Sequence, residues 1–364
     1  MTPKKKKILF IDLGGSMGGV EGYLEGLAAM LHPSADQFAL CALEELAVRL
    51  RARGVRVFQI PLFARARFLR YITAAVVLSF VIVAHRIDVV QLNGFLESIL
   101  LLPARLLGCE TVYTRHGPFE IELFKWYRNP AKFFPRFFSR LGLHLSSRLV
   151  CVSETVGRLY TPLFPPGRVA VIPNWVNHVP DYHDYNLRPR EESRPVQLIY
   201  VGRLERYKGL HLLLEAIRGM AGVRVDVVGD GSYRPALEKL AEGLDVRFVG
   251  FQRDPKPYYA NADIFVMPSL GPEGLPLVAL EAMAHAIPCL FSDLPVHSEI
   301  TGNGRAAMLF RSGDVNDLRE KITSLVEDRA LRASLAQRAY QNVTEKYHMS
   351  VARPAYLQLF EVGA

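Results

Sequence analysis

Two glutamates, Glu273 and Glu281, are separated by seven residues that begin Gly-Leu-Pro. Carboxylates are groups that accept hydrogen bonds from sugar and ribose hydroxyls. The apolar run Ile264–Met267 precedes the pair and predicts a buried strand, after which the chain enters a turn rich in Gly and Pro. Pro276 would then open a helix, because the first helical position needs no N–H donor. Glu273 is therefore expected in the turn, and Glu281 about a turn and a half into the helix.

This turn and helix would present carboxylates and N–H donors to one crevice, at the carboxyl end of a parallel strand where open α/β sheets bind ligands. The carboxylates would meet sugar and ribose hydroxyls, while backbone N–H groups from Gly274 onward would hold a pyrophosphate. The arrangement suits a sugar nucleotide. An ordinary strand, turn and helix with two solvated glutamates is the alternative.

Two cations follow the predicted strand Val196–Val201, with Arg203 at the strand tip and Lys208 at the start of the next helix. They would present two positive charges and the positive end of a helix dipole to one point. A diphosphate is the natural ligand for such a point. A coincidental pair of surface charges is the alternative.

The first half of the chain has a glycine turn that could also approach a phosphate. The run Ile8–Leu13 is continuous in apolar character, as buried parallel strands are, and Gly18 and Gly19 lead from it into a helical pattern. Glycines let backbone N–H groups come close to a phosphate, although such turns also occur simply to reverse the chain. The spacing does not match the dinucleotide-binding fingerprint.

His116 comes soon after another predicted strand, Thr111–Tyr113, and stands beside Gly-Pro. This predicts a loop position at the carboxyl edge of the sheet instead of a place in the core. An exposed loop histidine without a ligand is the alternative.

The elements that would position these residues alternate between strand and helix. In the first half, strands are predicted at Ile8–Leu13, Val55–Ile60, Val89–Leu92, Thr111–Tyr113, Leu149–Val152 and Val169–Ile172. In the second half, they are predicted at Val196–Val201, around Val225, at Val246–Phe251, at Ile264–Met267 and at Ala286–Phe291. Such a series implies an α/β fold with parallel doubly wound sheets.

A chain of 364 residues is long enough for two domains with their own cores. Residues 1–180 form the first predicted domain and residues 196–345 the second. Between them, residues 181–195 lack periodicity and carry prolines and mixed charge, which is typical of a linker. Residues 346–364 have apolar positions at helical spacing and are expected to form a C-terminal helix.

Composition and charge exclude several classes of protein. Residues 1–182 hold 22 Lys and Arg against 13 Asp and Glu, a net charge of +9, whereas residues 183–364 hold 22 against 23, a net charge of −1. The basic half indicates an anionic partner, but no nucleic-acid-binding signature accompanies it, so nucleic acid is not expected. The four scattered cysteines favour a reducing cytosol over a disulfide framework or a zinc site. The longest uncharged apolar run, residues 71–84, is too short to span a bilayer.

Four motifs in this sequence resemble those of the retaining glycosyltransferases of family 4. They are the Glu273 and Glu281 pair, the run Val-Gly-Arg-Leu-x-x-x-Lys-Gly from Val201, the Gly-Gly-Val-Glu segment at Gly18, and His116 after its strand. They occur in the family's order and together take in essentially the whole chain. The resemblance implies a GT-B fold, in which two Rossmann-like doubly wound domains enclose an interdomain cleft and a C-terminal helix crosses back to the first domain.

The resemblance also implies roles for the candidate residues. Arg203 and Lys208 would neutralise the leaving diphosphate, Glu273 would orient sugar hydroxyls, and Glu281 would hold the ribose. His116 would contact the transferred sugar and completes an implied catalytic set of His116, Arg203, Lys208 and Glu273. The other donor-binding positions are Gly18 and Gly19 at the phosphate, Val249 and Phe251 at the nucleobase, and Gly274, Leu275, Leu277 and Val278 at the helix start. Phe251 could equally belong to the core.

The implied activity is transfer of a hexose-type sugar from a nucleotide-diphosphate sugar, with retention of configuration, in cell-surface polysaccharide or glycolipid synthesis. The acceptor would be a glycan or a lipid-linked glycan, such as a polyprenyl-diphosphate oligosaccharide. No cofactor and no divalent metal are expected, because the chain lacks an Asp-x-Asp pair and supplies its own cations. A sugar-nucleotide epimerase, a glycogen-type phosphorylase and a non-catalytic sugar-binding scaffold are the alternatives. The phosphorylase would need a pyridoxal lysine, for which the sequence offers no context.

Residues 123–144 contain five Lys and Arg, no acidic residue, and many aromatic residues between the cations. The candidates for a membrane interface are Lys125, Trp126, Arg128, Lys132, Phe134 and Phe138. On a helix from about residue 131, the phenylalanines would cover one side and the cations would flank it, as in helices that lie in an anionic membrane interface. The same phenylalanines could instead pack on the sheet. The prediction is a cytoplasmic protein bound peripherally to the cytosolic face of a membrane.

Overall fold

The computed structural model of the protein describes residues 5–14, 18–61, 67–94, 96–117, 141–182 and 194–362. The chain divides into two units: Met1–Asn174 together with Met349–Ala364 form one, and Trp175–His348 form the other. The candidates for a membrane interface, Lys125, Trp126, Arg128, Lys132, Phe134 and Phe138, lie outside the described residues.

The first unit is built on a seven-stranded sheet in the described part of the chain. Its strands are β1 (Lys7–Asp12), β2 (Asp36–Cys41), β3 (Arg56–Gln59), β4 (Val89–Leu92), β5 (Glu110–Arg115), β6 (Arg148–Cys151) and β7 (Val169–Val171). All pairings are parallel, in the order β3-β2-β1-β4-β5-β6-β7. The strand order reverses at β1 and β4, which opens a crevice at the carboxyl ends of these two strands.

The helices of this unit connect the strands. They are α1 (Gly19–Leu31), α2 (Glu44–Ala52), α3 (Arg67–His85), α4 (Leu101–Leu106) and α5 (Glu154–Tyr160), with short 3₁₀ helices at Leu96–Leu100 and Thr161–Leu163 and a helical stretch at residues 141–145. Central strands are buried on both faces: Leu9, Phe10 and Ile11 of β1 have no exposed surface. Such strands read as unbroken apolar runs, which is why β1 and β4 are visible in the sequence.

The second unit has a six-stranded parallel sheet in the order β10-β9-β8-β11-β12-β13. Its strands are β8 (Val196–Val201), β9 (Val223–Val228), β10 (Val246–Gly250), β11 (Ile264–Met267), β12 (Cys289–Ser292) and β13 (Met308–Phe310). Here the order reverses at β8 and β11, so this unit too has a crevice at two carboxyl ends.

Six of the second unit's helices connect these strands or follow the last one. They are α6 (Leu210–Ala216), α7 (Arg234–Leu240), α8 (Lys256–Asn261), α9 (Leu277–Ala284), α10 (Pro295–Thr301) and α11 (Val315–Glu327); a 3₁₀ turn spans Arg206–Lys208 and α12 (Arg329–Lys346) comes last. Between α11 and α12 the helix breaks at Asp328, whose carboxylate accepts a hydrogen bond from the N–H of Leu331 at 2.8 Å and caps α12.

The C-terminal helix α13 (Met349–Leu359) packs on α1 of the first unit. The hydroxyls of Tyr356 on α13 and Tyr23 on α1 are 2.7 Å apart and buried. This hydrogen bond favours one packing of α13 on α1, because in any other packing each buried hydroxyl would have lost its hydrogen bond to water without gaining another.

Two strands, β2 and β13, are missing from the sequence prediction. β2 opens with Asp36 and Gln37, and no Gly or Pro marks its carboxyl end before the next helix. β13 has only three residues. A run of only three residues, like a run with no turn residue at its carboxyl end, gives too little pattern to recognise as a strand.

Candidate active site

Tyr207 brings together the two predicted cations of the second unit. Arg203, just beyond β8, donates a hydrogen bond to the Tyr207 hydroxyl and has its Cζ 5.8 Å from the ring centre. Lys208 Nζ lies 5.5 Å from the same ring centre. Gly209 follows with φ of 72°, and a Cβ there would come within 1.8 Å of the carbonyl oxygen of Pro268. The loop after β8 therefore rests directly on the loop after β11, which only glycine allows.

Lys208 and Glu273 form an ion pair where these two loops meet. Lys208 Nζ is 2.6 Å from Glu273 Oε1, and both side chains are largely buried. Ser269 Oγ donates a hydrogen bond to the same oxygen at 2.8 Å. Within the described residues the other oxygen, Oε2, has no hydrogen-bond partner. Glu273 is thus held from one side and keeps an acceptor for a ligand hydroxyl.

Helix α9 starts at Leu277, one residue later than predicted, with Pro276 in extended conformation before it. The backbone N–H groups of Gly274, Leu277 and Val278 find no acceptor in the described part of the chain. They are free donors at the positive end of a helix, which is a favourable environment for a phosphate. The Leu275 side chain is buried.

Glu281 lies on α9 next to Tyr259, whose hydroxyl donates a hydrogen bond to Glu281 Oε2 at 3.1 Å. Burial raises the pKa of Glu281 to about 7, against the opposing effects of the Tyr259 hydrogen bond and the charge of Lys256. The carboxyl group therefore takes up a proton much closer to neutral pH than an exposed glutamate does. It can accept hydrogen bonds from a diol when ionised.

Phe251 directly follows β10 and is 55% exposed, so the core position that the sequence left open for it is wrong. Val249, two residues earlier, is half-buried, and its carbonyl accepts a hydrogen bond from the Gln252 amide. The same loop continues to Asp254 and Lys256, whose charges act on Glu281. An exposed aromatic ring of this kind offers a face on which a planar ligand ring can stack.

In the first unit, His116 follows β5 and is half-buried. Its Nε2 is 3.1 Å from Oδ1 of Asn93, which follows β4. An amide oxygen only accepts, so Nε2 carries the proton and Nδ1 carries the lone pair. Burial, aided by the neighbouring charge of Arg115, lowers the pKa of His116 to about 3. His116 is therefore neutral, and Nδ1, which has no partner among the described residues, is an acceptor.

A buried network fixes the Asn93 amide. Gln91 Nε2 donates to Asn93 Oδ1 at 2.9 Å and to Thr114 Oγ1 at 2.9 Å. The Tyr23 hydroxyl, which is bonded to Tyr356, lies 3.3 Å from the same Thr114 oxygen. The Tyr23 ring also meets the His116 ring edge-on at 4.6 Å. Helices α1 and α13 thereby help to orient His116.

Gly18 caps α1 and Gly19 is its first residue, as the glycine turn predicts. Two buried carboxylates lie beneath this turn: burial raises the pKa of Asp12, and burial with the charge of Asp12 raises the pKa of Glu21 to about 7. A Cβ on Gly14 would lie 2.7 Å from Glu21 Oε1 and 2.9 Å from Asp12 Oδ1, so the backbone at Gly14 lies directly against both acids. Residues 15–17 of the turn lie outside the described residues.

Four residues that build these sites were not found from the sequence: Asn93, Tyr207, Tyr259 and Ser269. A signal existed for Asn93 and Ser269, because each directly follows or lies within two residues of a predicted strand and so reaches the same sheet edge. Tyr259 carries no such signal, since only tertiary packing brings it to Glu281. Tyr207 lies within the predicted cation motif itself, four residues after Arg203 and one before Lys208.

Within the described residues no group of His, Cys, Asp or Glu is arranged to hold a metal ion. The described helices likewise include none that is both long and apolar enough to cross a bilayer. All four cysteines, Cys41, Cys109, Cys151 and Cys289, are buried free thiols.

Two family models match consecutive parts of the chain. Residues 17–179 match Glycosyltransferase Family 4, and residues 195–328 match Glycosyl transferases group 1. The chain belongs to the family 4 glycosyltransferases. The family indicated by the motifs is thereby confirmed.

Parts of the chain are similar to two named relatives. The lipopolysaccharide core biosynthesis glycosyltransferase LpsE of Rhizobium meliloti is 34% identical over 163 residues, 44% of this chain and 48% of LpsE. The sulfoquinovosyl transferase SQD2 of Arabidopsis thaliana is 32% identical over 271 residues, 68% of this chain and 51% of SQD2. This chain therefore spans about half the length of these relatives.

The crystal structure of Anabaena Alr3699/HepE with UDP and glucose superposes with a TM-score of 0.80 at 20% identity, covering 98% of this chain and 99% of that one. At this identity the likeness shows the fold alone. Both sheets of this family 4 protein are of the Rossmann-like type, so the α/β, GT-B fold class predicted from the sequence is confirmed.

Proposed function

We propose that this family 4 protein transfers a sugar from a nucleotide-diphosphate sugar to a glycan or lipid-linked glycan, with retention of configuration. The observation that carries the proposal is the Lys208–Glu273 ion pair at the reversal of strand order between β8 and β11, beside three free backbone donors. The names of LpsE, for lipopolysaccharide core biosynthesis, and of HepE, solved with UDP and glucose, support a nucleotide-sugar donor and a cell-surface glycan as product.

The diphosphate would bind between the cations and the start of α9. Its oxygens would accept hydrogen bonds from Lys208 Nζ, from Arg203, and from the N–H groups of Gly274, Leu277 and Val278. Before the donor binds, Glu273 neutralises Lys208, so no buried charge is left unpaired. As the bond from the sugar to the phosphate breaks, negative charge grows on the phosphate, and the fixed cations stabilise that charge most in the transition state.

Three side chains of the second unit would bind the rest of the donor. Glu273 Oε2 would accept a hydrogen bond from a sugar hydroxyl, and ionised Glu281 would accept from the ribose hydroxyls. Phe251 would stack on the base. A stacked ring and a carboxylate fix a nucleoside from two directions, which limits the freedom of the sugar at the reacting carbon.

His116 would act as a neutral hydrogen-bond acceptor through Nδ1 and not as a proton-transfer group, since its lowered pKa keeps it unprotonated. No carboxylate nucleophile is assigned, so retention would come from substitution on one face of the sugar. In that step the bond from C1 to the phosphate oxygen breaks, the acceptor oxygen bonds to C1 on the same face, and the leaving phosphate takes the acceptor's proton. Gly18 and Gly19 would donate backbone hydrogen bonds to a donor phosphate.

The reaction would need no divalent metal and no cofactor, because Lys208, Arg203 and the helix start supply the positive charge that a metal supplies elsewhere. The acceptor would be presented at a membrane. We place the protein on its cytosolic face, in keeping with the free cysteines and the basic first half of the chain.

The proposal is tested by ligand screening followed by product analysis. UDP, GDP and ADP sugars are screened for a rise in the unfolding midpoint, since a ligand at 100 times its dissociation constant adds about 2.7 kcal/mol. The best donor is then incubated with candidate acceptors, and NMR determines the anomeric configuration of the new bond. An inverted bond would contradict retention, and conversion of the donor to an epimer without any acceptor would favour the epimerase.

A further inference from the structure

Helix α3 of the first unit is apolar on the side that faces solvent. Its inner side supplies Ala74, Leu78 and Val81 to the core. On the outer side five large apolar residues are exposed, namely Leu69 (54%), Ile72 (47%), Val76 (65%), Phe80 (68%) and Val83 (65%). Their spacing of three or four residues places them in one row along the helix, about 21 Å long at 1.5 Å per residue.

The neighbouring helix α4 extends this surface. It packs against α3; Leu102 near its start, Leu106 at its end and Leu107 just beyond it are 40%, 77% and 43% exposed. We refer to these three residues and the five of α3 as the α3–α4 surface. Soluble proteins rarely leave large apolar surfaces in water, so an exposed apolar row of this length, with further exposed leucines on the helix that packs against it, is expected to contact another apolar phase.

Three arginines lie near the described part of the α3–α4 surface. Arg70 and Arg86 lie at the two ends of the row and Arg105 lies on α4. None of these three arginines has a carboxylate partner among the described residues, and the sequence contains no Asp or Glu between residues 60 and 87. Arginines without ion-pair partners beside an apolar row complement a surface that is apolar inside and anionic at its edge.

We propose that the α3–α4 surface lies in the interface of an anionic membrane, with α3 parallel to the bilayer plane. A second copy of the chain fits less well. In a two-fold arrangement with antiparallel α3 helices, Arg70 of one copy would face Arg86 of the other, and the like charges would have no compensation. Lipid phosphates next to acyl chains satisfy both the arginines and the apolar row.

The position of α3 gives the contact a use. Because α3 follows β3 and precedes the parallel strand β4, its first turns lie at the carboxyl edge of the sheet, where Asn93 and His116 also lie. A membrane that lies along α3 would also reach this edge and would present a lipid-linked acceptor on the edge that holds His116. In this sense the inference rests on the proposed function and names the surface through which its acceptor is reached.

The test is sedimentation with vesicles of phosphatidylcholine alone and of phosphatidylcholine with phosphatidylglycerol, across a salt series. The variant V76D with F80D replaces two exposed residues at the centre of the row. The matched control, V48D with L163D, replaces residues of the same unit that are 54% and 60% exposed and lie outside the α3–α4 surface. V76Q with F80Q is a second variant that keeps good helix formers on α3, and the far-UV circular dichroism of each variant is compared with wild type.

Wild type and the control should sediment with the anionic vesicles, less so as salt rises, and both α3 variants should bind at least about tenfold more weakly. R70Q with R86Q should weaken binding and flatten the salt dependence. Equal binding of the α3 variants and wild type would overturn the proposal, as would wild type that stays in the supernatant at low salt. Self-association in ultracentrifugation that V76D with F80D abolishes, without vesicle binding, would overturn it in favour of a second copy.

The donor-induced rise in the unfolding midpoint, measured on the same variants, separates this inference from the proposed function. It should be unchanged in the α3 variants. Vesicle binding without any nucleotide-sugar response would remove the proposed function and leave the membrane contact standing. A nucleotide-sugar response without vesicle binding would refute the membrane contact and leave the proposed function standing.

Discussion

Replacing Glu281 with Gln should make the protein more stable at alkaline pH while weakening its binding of the donor. Burial raises the pKa of Glu281 from 4.5 to about 7, whereas the unfolded chain keeps the ordinary value. Between these two values the folded state holds a proton that the unfolded state has lost. The free energy of unfolding therefore falls as pH rises from about 4.5 to about 7. Above about pH 7 it stays lower by the full cost of burying the ionised carboxylate.

The magnitude follows from the shift. Each pKa unit corresponds to about 1.4 kcal/mol, so the ionised group costs on the order of 3 kcal/mol at pH 8 but less than about 1 kcal/mol at pH 5. The glutamine side chain of the Glu281→Gln variant would carry no charge at either pH. Its amide oxygen can still accept the hydrogen bond that the Tyr259 hydroxyl donates at 3.1 Å to Glu281 Oε2.

Thermal unfolding of wild type and Glu281→Gln at pH 5 and pH 8 measures the effect. For a unit of this size about 1 kcal/mol corresponds to roughly 2–4 °C, so the variant should unfold on the order of 10 °C higher at pH 8 and close to wild type at pH 5. Glu215→Gln, which removes an exposed carboxylate from α6 of the same unit, should show no such pH dependence. A difference between Glu281→Gln and wild type that is the same at both pH values would refute the reasoning.

The same variant separates stability from ligand binding. If ionised Glu281 accepts both ribose hydroxyls, the glutamine that replaces it offers only its one amide oxygen, and the UDP-sugar response should shrink although the protein is more stable. For the same reason, donor binding by wild type should weaken as pH falls through about 7. A full ligand response in Glu281→Gln would place the ribose elsewhere.

Three further predictions address the remaining parts of the site. Arg203→Ala and Lys208→Ala should each lower kcat by about 100-fold or more, because they remove charge that stabilises the leaving diphosphate. Arg206→Ala, in the same 3₁₀ turn as Lys208, is the control. Losses below about threefold in both Arg203→Ala and Lys208→Ala would exclude the two residues from the mechanism. Activity should survive excess EDTA, whereas complete loss that Mn²⁺ or Mg²⁺ restores would contradict the assignment of positive charge to the protein. Asn93→Asp should raise the pKa of His116 from about 3 by placing a carboxylate at its Nε2, and should reduce turnover most at low pH. NMR titration of the His116 ring and the pH profile of kcat measure these effects. An unchanged ring titration would show that Asn93 does not orient His116.

The sequence predicted where the candidate residues of the second unit lie, because each of them follows a strong strand signal. Ile264–Met267 is the observed β11, Val196–Val201 is the observed β8, and Glu273, Lys208 and Arg203 lie just beyond them. In a parallel sheet, residues that follow neighbouring strands meet at one edge. The Lys208–Glu273 contact at 2.6 Å follows from this rule, although the two residues are 65 positions apart.

Other features depended on packing that no local pattern encodes. The hydrogen bond between Tyr259 and Glu281 arises only when α8 and α9, which are separated by β11, come together. The pKa of Glu281 depends on how much water reaches it, which its neighbours in the chain do not determine. The exposure of one side of α3 could not be predicted from the sequence either. A helix that is apolar on two sides has the same sequence pattern whether both sides are buried or only one.

The two units reach a similar arrangement with opposite electrostatics. At the reversal of strand order the second unit gathers cations and free N–H groups around Glu273, whereas the first unit places the buried acids Asp12 and Glu21 beneath its glycine turn. The cations and free N–H groups of the second unit favour phosphate binding. Carboxyl groups near a phosphate oppose phosphate binding unless they are protonated. With its pKa raised to about 7, Glu21 can carry a proton at neutral pH, which reduces the negative charge under Gly18. The glycine turn is therefore compatible with a donor phosphate near neutral pH and becomes less so as pH rises and Glu21 ionises.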